Sequence, residues 1–85
     1  MYTRDQVADA YLDAVAKAFM KDYDYIRNNR QLNIHTDLHC ESIHSLAIAA
    51  VLEEELDFEL DTNEFIGAVS TLESGIDYIL GLVNA

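Results

Sequence analysis

The chain has no proline, only three glycines and a single cysteine, and beyond Arg30 it has no lysine or arginine at all. Each scarcity excludes something. Without proline, almost without glycine, and with no sustained alternation of apolar and polar residues, the sequence reads as helical throughout. One thiol, Cys40, cannot close an internal disulfide, so nothing points to an oxidising compartment. The longest apolar run, Leu46 to Leu52, falls far below the ~20 residues that span a bilayer. The opening segment MYTRDQVADA lacks the apolar stretch of a signal peptide. The expectation is a cytoplasmic protein in which residues 1–85 form one small domain, around a single core and without a cleft between domains.

The missing base gives the chain its electrostatic character. All five basic residues (Arg4, Lys17, Lys21, Arg27 and Arg30) fall in the first 30 positions, where five aspartates balance them. From Gln31 onward there are eleven acidic side chains and nothing to neutralise them, and the formal net charge is −11. Such a surface repels nucleic-acid phosphates and anionic lipid, and it attracts basic protein surfaces. The expected partners are therefore proteins with basic patches, not nucleic acid or membrane.

Thr3 and Gln6 have capping-box spacing, and Val7, Tyr11, Leu12, Val15 and Phe19 follow at helical intervals, which predicts a first helix from Arg4 to about Met20. Residues 21–40 carry no sustained period and read as a long loop, with Tyr25, Ile26, Leu32, Ile34 and Leu38 as plugs into the core. A connection of that length either has a function or hides a short helical turn. A second helix is expected from Glu41 or Ser42 to Leu56. Its residues Ile43, Leu46, Ala47, Ala50 and Val51 form one apolar stripe and Ile48, Leu52 and Leu56 another, which predicts a central helix with neighbours on several sides. A short third helix fits Asn63 to Ala68. Ser70 and Glu73 offer a second capping box before Leu72, Ile76, Ile79, Leu80 and Val83. The fold class is all-α, a four-helix bundle of three main helices and one short one, with a long first loop.

Chemistry concentrates around Ser42. His35, His39, Cys40 and His44 fall within ten residues, but their spacing matches no zinc pattern and His44 belongs to the next helix, so no metal is expected. Counted as a calcium loop from Asp57, the segment DFELDTNEF has Thr62 and Ala68 where the geometry needs glycine and glutamate. His44, two residues beyond Ser42 on a helix, points about 200° around the axis from it and cannot serve as its base. The chain is therefore not expected to be an enzyme. Two readings of Ser42 remain: an ordinary N-cap, or a modified serine whose phosphate ester would meet free N–H groups at the positive end of the helix dipole.

The stretch DLHCESIHSLAIAAVLEEEL resembles the phosphopantetheine attachment region of acyl carrier proteins, D-L-G-x-D-S-L followed by an apolar helix with an acidic end. Asp37 and Leu38 match the leading pair, Glu41-Ser42-Ile43 stands for D-S-L, and Glu53 to Leu56 matches the acidic terminus. Downstream, DFEL and STLESGIDYILGLV resemble the segments before the family's third helix and at its last. The resemblance covers roughly residues 36–83 and implies the acyl-carrier-protein bundle, with 4′-phosphopantetheine attached at Ser42 by a phosphopantetheinyl transferase.

It further implies a monomer that carries acyl intermediates as thioesters to loading, condensing and tailoring enzymes of fatty-acid or polyketide synthesis. Asp37, Glu41, Ile43, Glu53 and Glu54 would dock those partners. Ala47, Ala49 and Ala50 leave little bulk on the helix, which suggests either room for a sheltered chain or close packing of the helices. The sequence departs from the family pattern at His39 in place of glycine, Glu41 in place of aspartate, Ile43 in place of leucine and Ala47 in place of a glutamate, and it is one residue longer near residues 65–69. These departures suggest a specialised carrier. The alternatives are a carrier of aminoacyl or peptidyl groups and an unmodified acidic docking module.

Overall fold

A computed structural model describes residues 1–85 and contains five helices and no strands: α1 (Arg4–Phe19), α2 (Tyr23–Arg27), α3 (Ser42–Leu56), α4 (Thr62–Ala68) and α5 (Leu72–Val83). The all-α class is therefore as expected, and no helix is long and apolar enough to cross a membrane. The extra element is α2, hidden in the connection that the sequence suggested was a loop. Asp22 caps it by accepting the Tyr25 N–H. Of the predicted plugs, Ile26 and Ile34 are fully buried and Leu32 and Leu38 half-buried, but Tyr25 is exposed. Consecutive residues on a helix diverge by about 100°, so burying Ile26 turns Tyr25 outward.

Local chemistry sets most of the helix ends. Thr3 Oγ1 accepts from the Gln6 N–H at 3.2 Å and Gln6 Oε1 accepts from the Thr3 N–H at 2.9 Å, the reciprocal capping box anticipated for α1. At its other end Met20 takes a left-handed conformation, φ 55°, and turns the chain out of the helix. The second capping box is displaced. Thr71, not Ser70, caps α5 by accepting the Ser74 N–H, while the Ser70 N–H donates to Ser74 Oγ. Glu53 folds the end of α3 onto the following connection by accepting the Leu60 N–H at 2.9 Å, and Asp61 then caps α4.

α1 and α3 run antiparallel. The Tyr2 hydroxyl donates to the Leu56 carbonyl at one end of the pair, and the Phe19 ring stacks on His44 at the other. α5 closes the opposite side of α1, where Arg4 pairs with Glu73 and Asp77, and Tyr2 and Asn84 exchange two hydrogen bonds. The long connection is zipped to the start of α5 by Ile34 N–H to Ser70 O, Leu72 N–H to Leu32 O and Glu73 N–H to Arg30 O. These bonds hold the chain leading into Ser42 against the bundle.

Tyr11 is fully buried at the centre, edge-on to Phe65, and its hydroxyl has no hydrogen-bond partner. Burial pushes its phenol pKa up, because the phenolate would lose its hydration. An orphaned buried hydroxyl is destabilising, so Tyr11→Phe is expected to raise stability by about 1 kcal/mol in urea unfolding. Above pH ~10 the unfolded wild type ionises this phenol while the folded state does not, so wild-type stability falls with rising pH. The advantage of Tyr11→Phe should accordingly widen in alkali; a variant that loses stability would indicate that the hydroxyl has a partner.

Candidate functional site

The first turn of α3 gathers the residues on which the sequence reading centred. Ser42 is the first helical residue and Glu41, in an extended conformation, is the N-cap. Glu41's carbonyl accepts from the His44 and Ser45 N–H groups, and its own N–H donates to His44 Nδ1 at 2.9 Å. In this bond Nδ1 of the imidazole is the acceptor, which leaves Nε2 as the ring's donor nitrogen. Its ring lies on Phe19 with centroids 4.4 Å apart, which ties the cap to the end of α1.

The cap assignment corrects one of the two readings of Ser42: the serine is not the cap. Its hydroxyl makes no hydrogen bond and the residue is exposed. Ser45, one turn on, is the buried serine, and its hydroxyl donates to the Ser42 carbonyl at 2.8 Å. The Ser42 and Ile43 N–H groups have no acceptor within the chain. An exposed hydroxyl thus stands beside two unpaired N–H donors at the positive end of a 15-residue helix.

The approach to Ser42 is strained at one position. His39, which occupies the glycine position of the resemblance, has φ 54°, the left-handed region that favours glycine. On either side the backbone is held: Cys40 N–H donates to Ile34 O at 2.7 Å, and Asp37 Oδ2 accepts the Asn33 N–H at 2.8 Å. His39→Gly should relieve the strain, less the glycine's greater unfolded-state entropy, for a net gain of up to about 1 kcal/mol in thermal unfolding. A loss of stability on that change would mean that the His39 side chain makes contacts of its own.

The histidines and the cysteine do not converge. The His35 ring bonds the Val69 carbonyl, His44 is committed to the cap, and no group of three or more metal-ligating side chains is assembled anywhere. Burial pushes the Cys40 thiol up, which keeps it protonated and unreactive near neutrality. No base is bonded to the Ser42 hydroxyl, so nothing in this turn activates it as a nucleophile.

The remaining sequence-selected residues spread along α3. Ile43 is 69% exposed, Leu46 is 60% exposed, and Ala47 and Ala50 also face solvent. Only Ser45, Ile48, Ala49, Leu52 and Leu56 are buried on this helix, so the expectation of neighbours on several sides is corrected. Of the three alanines, only Ala49 lies at a helix interface, which removes most of the small-residue support for a sheltered chain. The exposed set recurs at i, i+3, i+4 and i+7 from Ile43, an apolar stripe that starts beside Ser42 and reaches the exposed Glu54 one turn later. Glu41 and Glu54 are exposed, whereas Asp37 and Glu53, also on the surface, each spend an oxygen on a backbone N–H.

No protein-family model, curated protein or solved structure matches this chain. Leu46 is the site residue that sequence reasoning missed. Its signal is the stripe of Ile43, Leu46, Ala47, Ala50 and Val51, for which burial is the sequence expectation because nothing in one dimension shows how few helices surround α3.

Proposed function

We propose that the protein is an acyl carrier that holds its cargo on a 4′-phosphopantetheine arm at Ser42 and presents it to partner enzymes. The observation that carries this reading is the free, exposed Ser42 hydroxyl at the first position of a helix whose cap is supplied by Glu41 and His44. A serine with no structural task, beside two unpaired N–H donors, fits a covalent phosphodiester. When attached, the arm supplies a terminal thiol on which acyl groups are held as thioesters.

The chain's own residues then have plain tasks. The unpaired Ser42 and Ile43 N–H groups would be available to the phosphodiester oxygens, and the capped first turn would keep the attachment point rigid. Ile43, Leu46, Ala47 and Ala50 give a partner an apolar footing next to the serine, and Glu54 with the other uncompensated acids steers basic surfaces toward it. Docking of this kind should be transient and salt-sensitive. A second reading, an unmodified docking module, draws on the same exposed stripe but leaves the unoccupied serine without a role.

Intact mass after incubation with coenzyme A and a broad-specificity phosphopantetheinyl transferase tests the proposal. Wild type should gain one phosphopantetheine and Ser42→Ala none. Because the Ser42 side chain bonds nothing, Ser42→Ala should unfold within about 0.5 kcal/mol of wild type. An unmodified wild type, also with the transferase of its own organism, would favour the docking module.

A further inference from the structure

A groove of about 550 Å³, open to solvent, lies at the other end of the α1–α3 pair. We infer that it receives a guanidinium group, the arginine side chain of a partner protein. Its floor is apolar, formed by the buried Ala10 and Leu56. Two tyrosines from different parts of the chain, Tyr2 and Tyr23, also line it. Tyr2 is fixed by its hydroxyl bond to the Leu56 carbonyl at 2.9 Å, and Tyr23, brought in by the short helix α2, reaches Asp9 Oδ1 at 3.4 Å. The groove is also lined by Asp9 and Asp13 of α1, one turn apart, and by Glu55 of α3.

These acids are only partly neutralised. Lys17 pairs with Asp13 at 3.0 Å from a largely exposed position, while Asp9 and Glu55 have no ion-pair partner. Arg27, at the end of α2, pairs with none of them. Burial, and after it the nearby Asp9 carboxylate, push the Tyr23 phenol up, while the charge of Arg27 acts in the opposite direction; Lys17 likewise lies within Coulombic reach of Glu55, so the groove's acids are partly compensated by these two cations.

The combination selects among cations. A metal ion needs converging oxygens, and no such cluster exists here. A guanidinium is flat, weakly hydrated and rich in coplanar donors, so it can lie against a fixed tyrosine ring while bonding carboxylates from two helices; a strongly hydrated ammonium gains less from such walls. A chain with net charge −11 and no base beyond Arg30 favours basic partners over anionic ones. At ~1.5 Å per residue, the 15 residues of α3 put this groove some 20 Å from Ser42. An arginine held there would anchor a partner without covering the serine, and the inference stands independently of any modification at Ser42.

The test is an amide-resolved NMR titration of the full chain with N-acetyl-arginine amide, compared with N-acetyl-lysine amide. Saturable shifts should concentrate at Tyr2, Gln6, Asp9, Asp13, Tyr23 and Glu55, with arginine binding several-fold tighter than lysine. Asp9→Asn combined with Glu55→Gln should weaken arginine binding about tenfold, as should Tyr23→Ala, while the spectra of both variants remain folded. Shifts spread evenly over the acidic segment from Glu53 to Glu64, equal binding of the two probes, or variants that bind like wild type would each overturn the assignment.

Discussion

Phe65→Ala is expected to be the most damaging single truncation, lowering stability by about 4 kcal/mol. Phe65 is fully buried and is the one buried residue of the seven-residue helix α4. A helix that short has no stability of its own in water and persists because it is packed. Phe65 provides that packing, with its ring centroid 6.1 Å from Tyr11 and 6.2 Å from Tyr78. At ~0.05–0.15 kcal/mol per residue, a domain of this size has about 4–13 kcal/mol in total, so the variant loses between a third and nearly all of its stability, and at the lower end of that range it is partly unfolded at 25 °C. Urea unfolding gives the magnitude, and hydrogen exchange should show the amides of residues 62–68 losing protection first. Tyr78, whose phenol is pushed up first by burial and then by Glu64 and Asp61, should titrate closer to an ordinary phenol once that cover is lost. A loss below about 1 kcal/mol would mean that α4 is held by its caps and not by Phe65.

Gly75→Ala should follow, with a net loss of about 2 kcal/mol. In an exposed helix the change is favourable by up to ~1 kcal/mol. At position 75 an added Cβ would fall inside van der Waals contact with the Tyr11 ring and hydroxyl. Tyr11 has no room to withdraw, since it is fully buried and its ring is braced by Phe65. Overpacking of this kind typically costs about 1–3 kcal/mol, and with the added Cβ this close to a ring that cannot move the cost lies at the top of that range, which leaves about 2 kcal/mol once the gain in helix propensity is cancelled. For a domain of this length the net loss corresponds to a drop of roughly 10 °C in Tm. The ring as well as the hydroxyl blocks the methyl, so Tyr11→Phe should not rescue Gly75→Ala, whereas Tyr11→Leu should absorb most of the penalty in a double-mutant cycle. Additive losses in Tyr11→Leu/Gly75→Ala would show that the two positions do not share the space.

The buried and the exposed apolar residues of α3 lie on different faces of the helix. Ile48, Ala49, Leu52 and Leu56 face the core, while Ile43, Leu46, Ala47 and Ala50 face solvent. A bundle with one more main helix could bury both stripes. Here the short α4 and the long connection leave the second uncovered, starting next to an exposed serine. The carrier proposal depends on that arrangement, and the groove at the opposite end depends on α2 and the amino-terminal tyrosine.

Periodicity, caps and charge were sufficient to predict the all-α class, the spans of α1 and α3, the short helix near residues 63–68 and the lack of base beyond Arg30. These are properties of neighbouring residues, and short-range geometry expresses them directly. Helix α2 escaped because five residues are too few to show a period, and Asp22 alone is a weak cap signal. Tertiary structure decided which apolar stripe of α3 is covered, because burial depends on how many helices arrive from elsewhere in the chain. It also decided that Glu41 and His44 make the cap and leave Ser42 free: Glu41 in place of a usual capping residue disguised the boundary, and the Phe19 ring that steadies His44 lies 25 positions away in sequence. The groove lined by Tyr2 and Tyr23 could not be read from the sequence for the same reason, since its lining comes from the amino terminus, α1, α2 and α3, and the antiparallel packing of α1 on α3 brings these together.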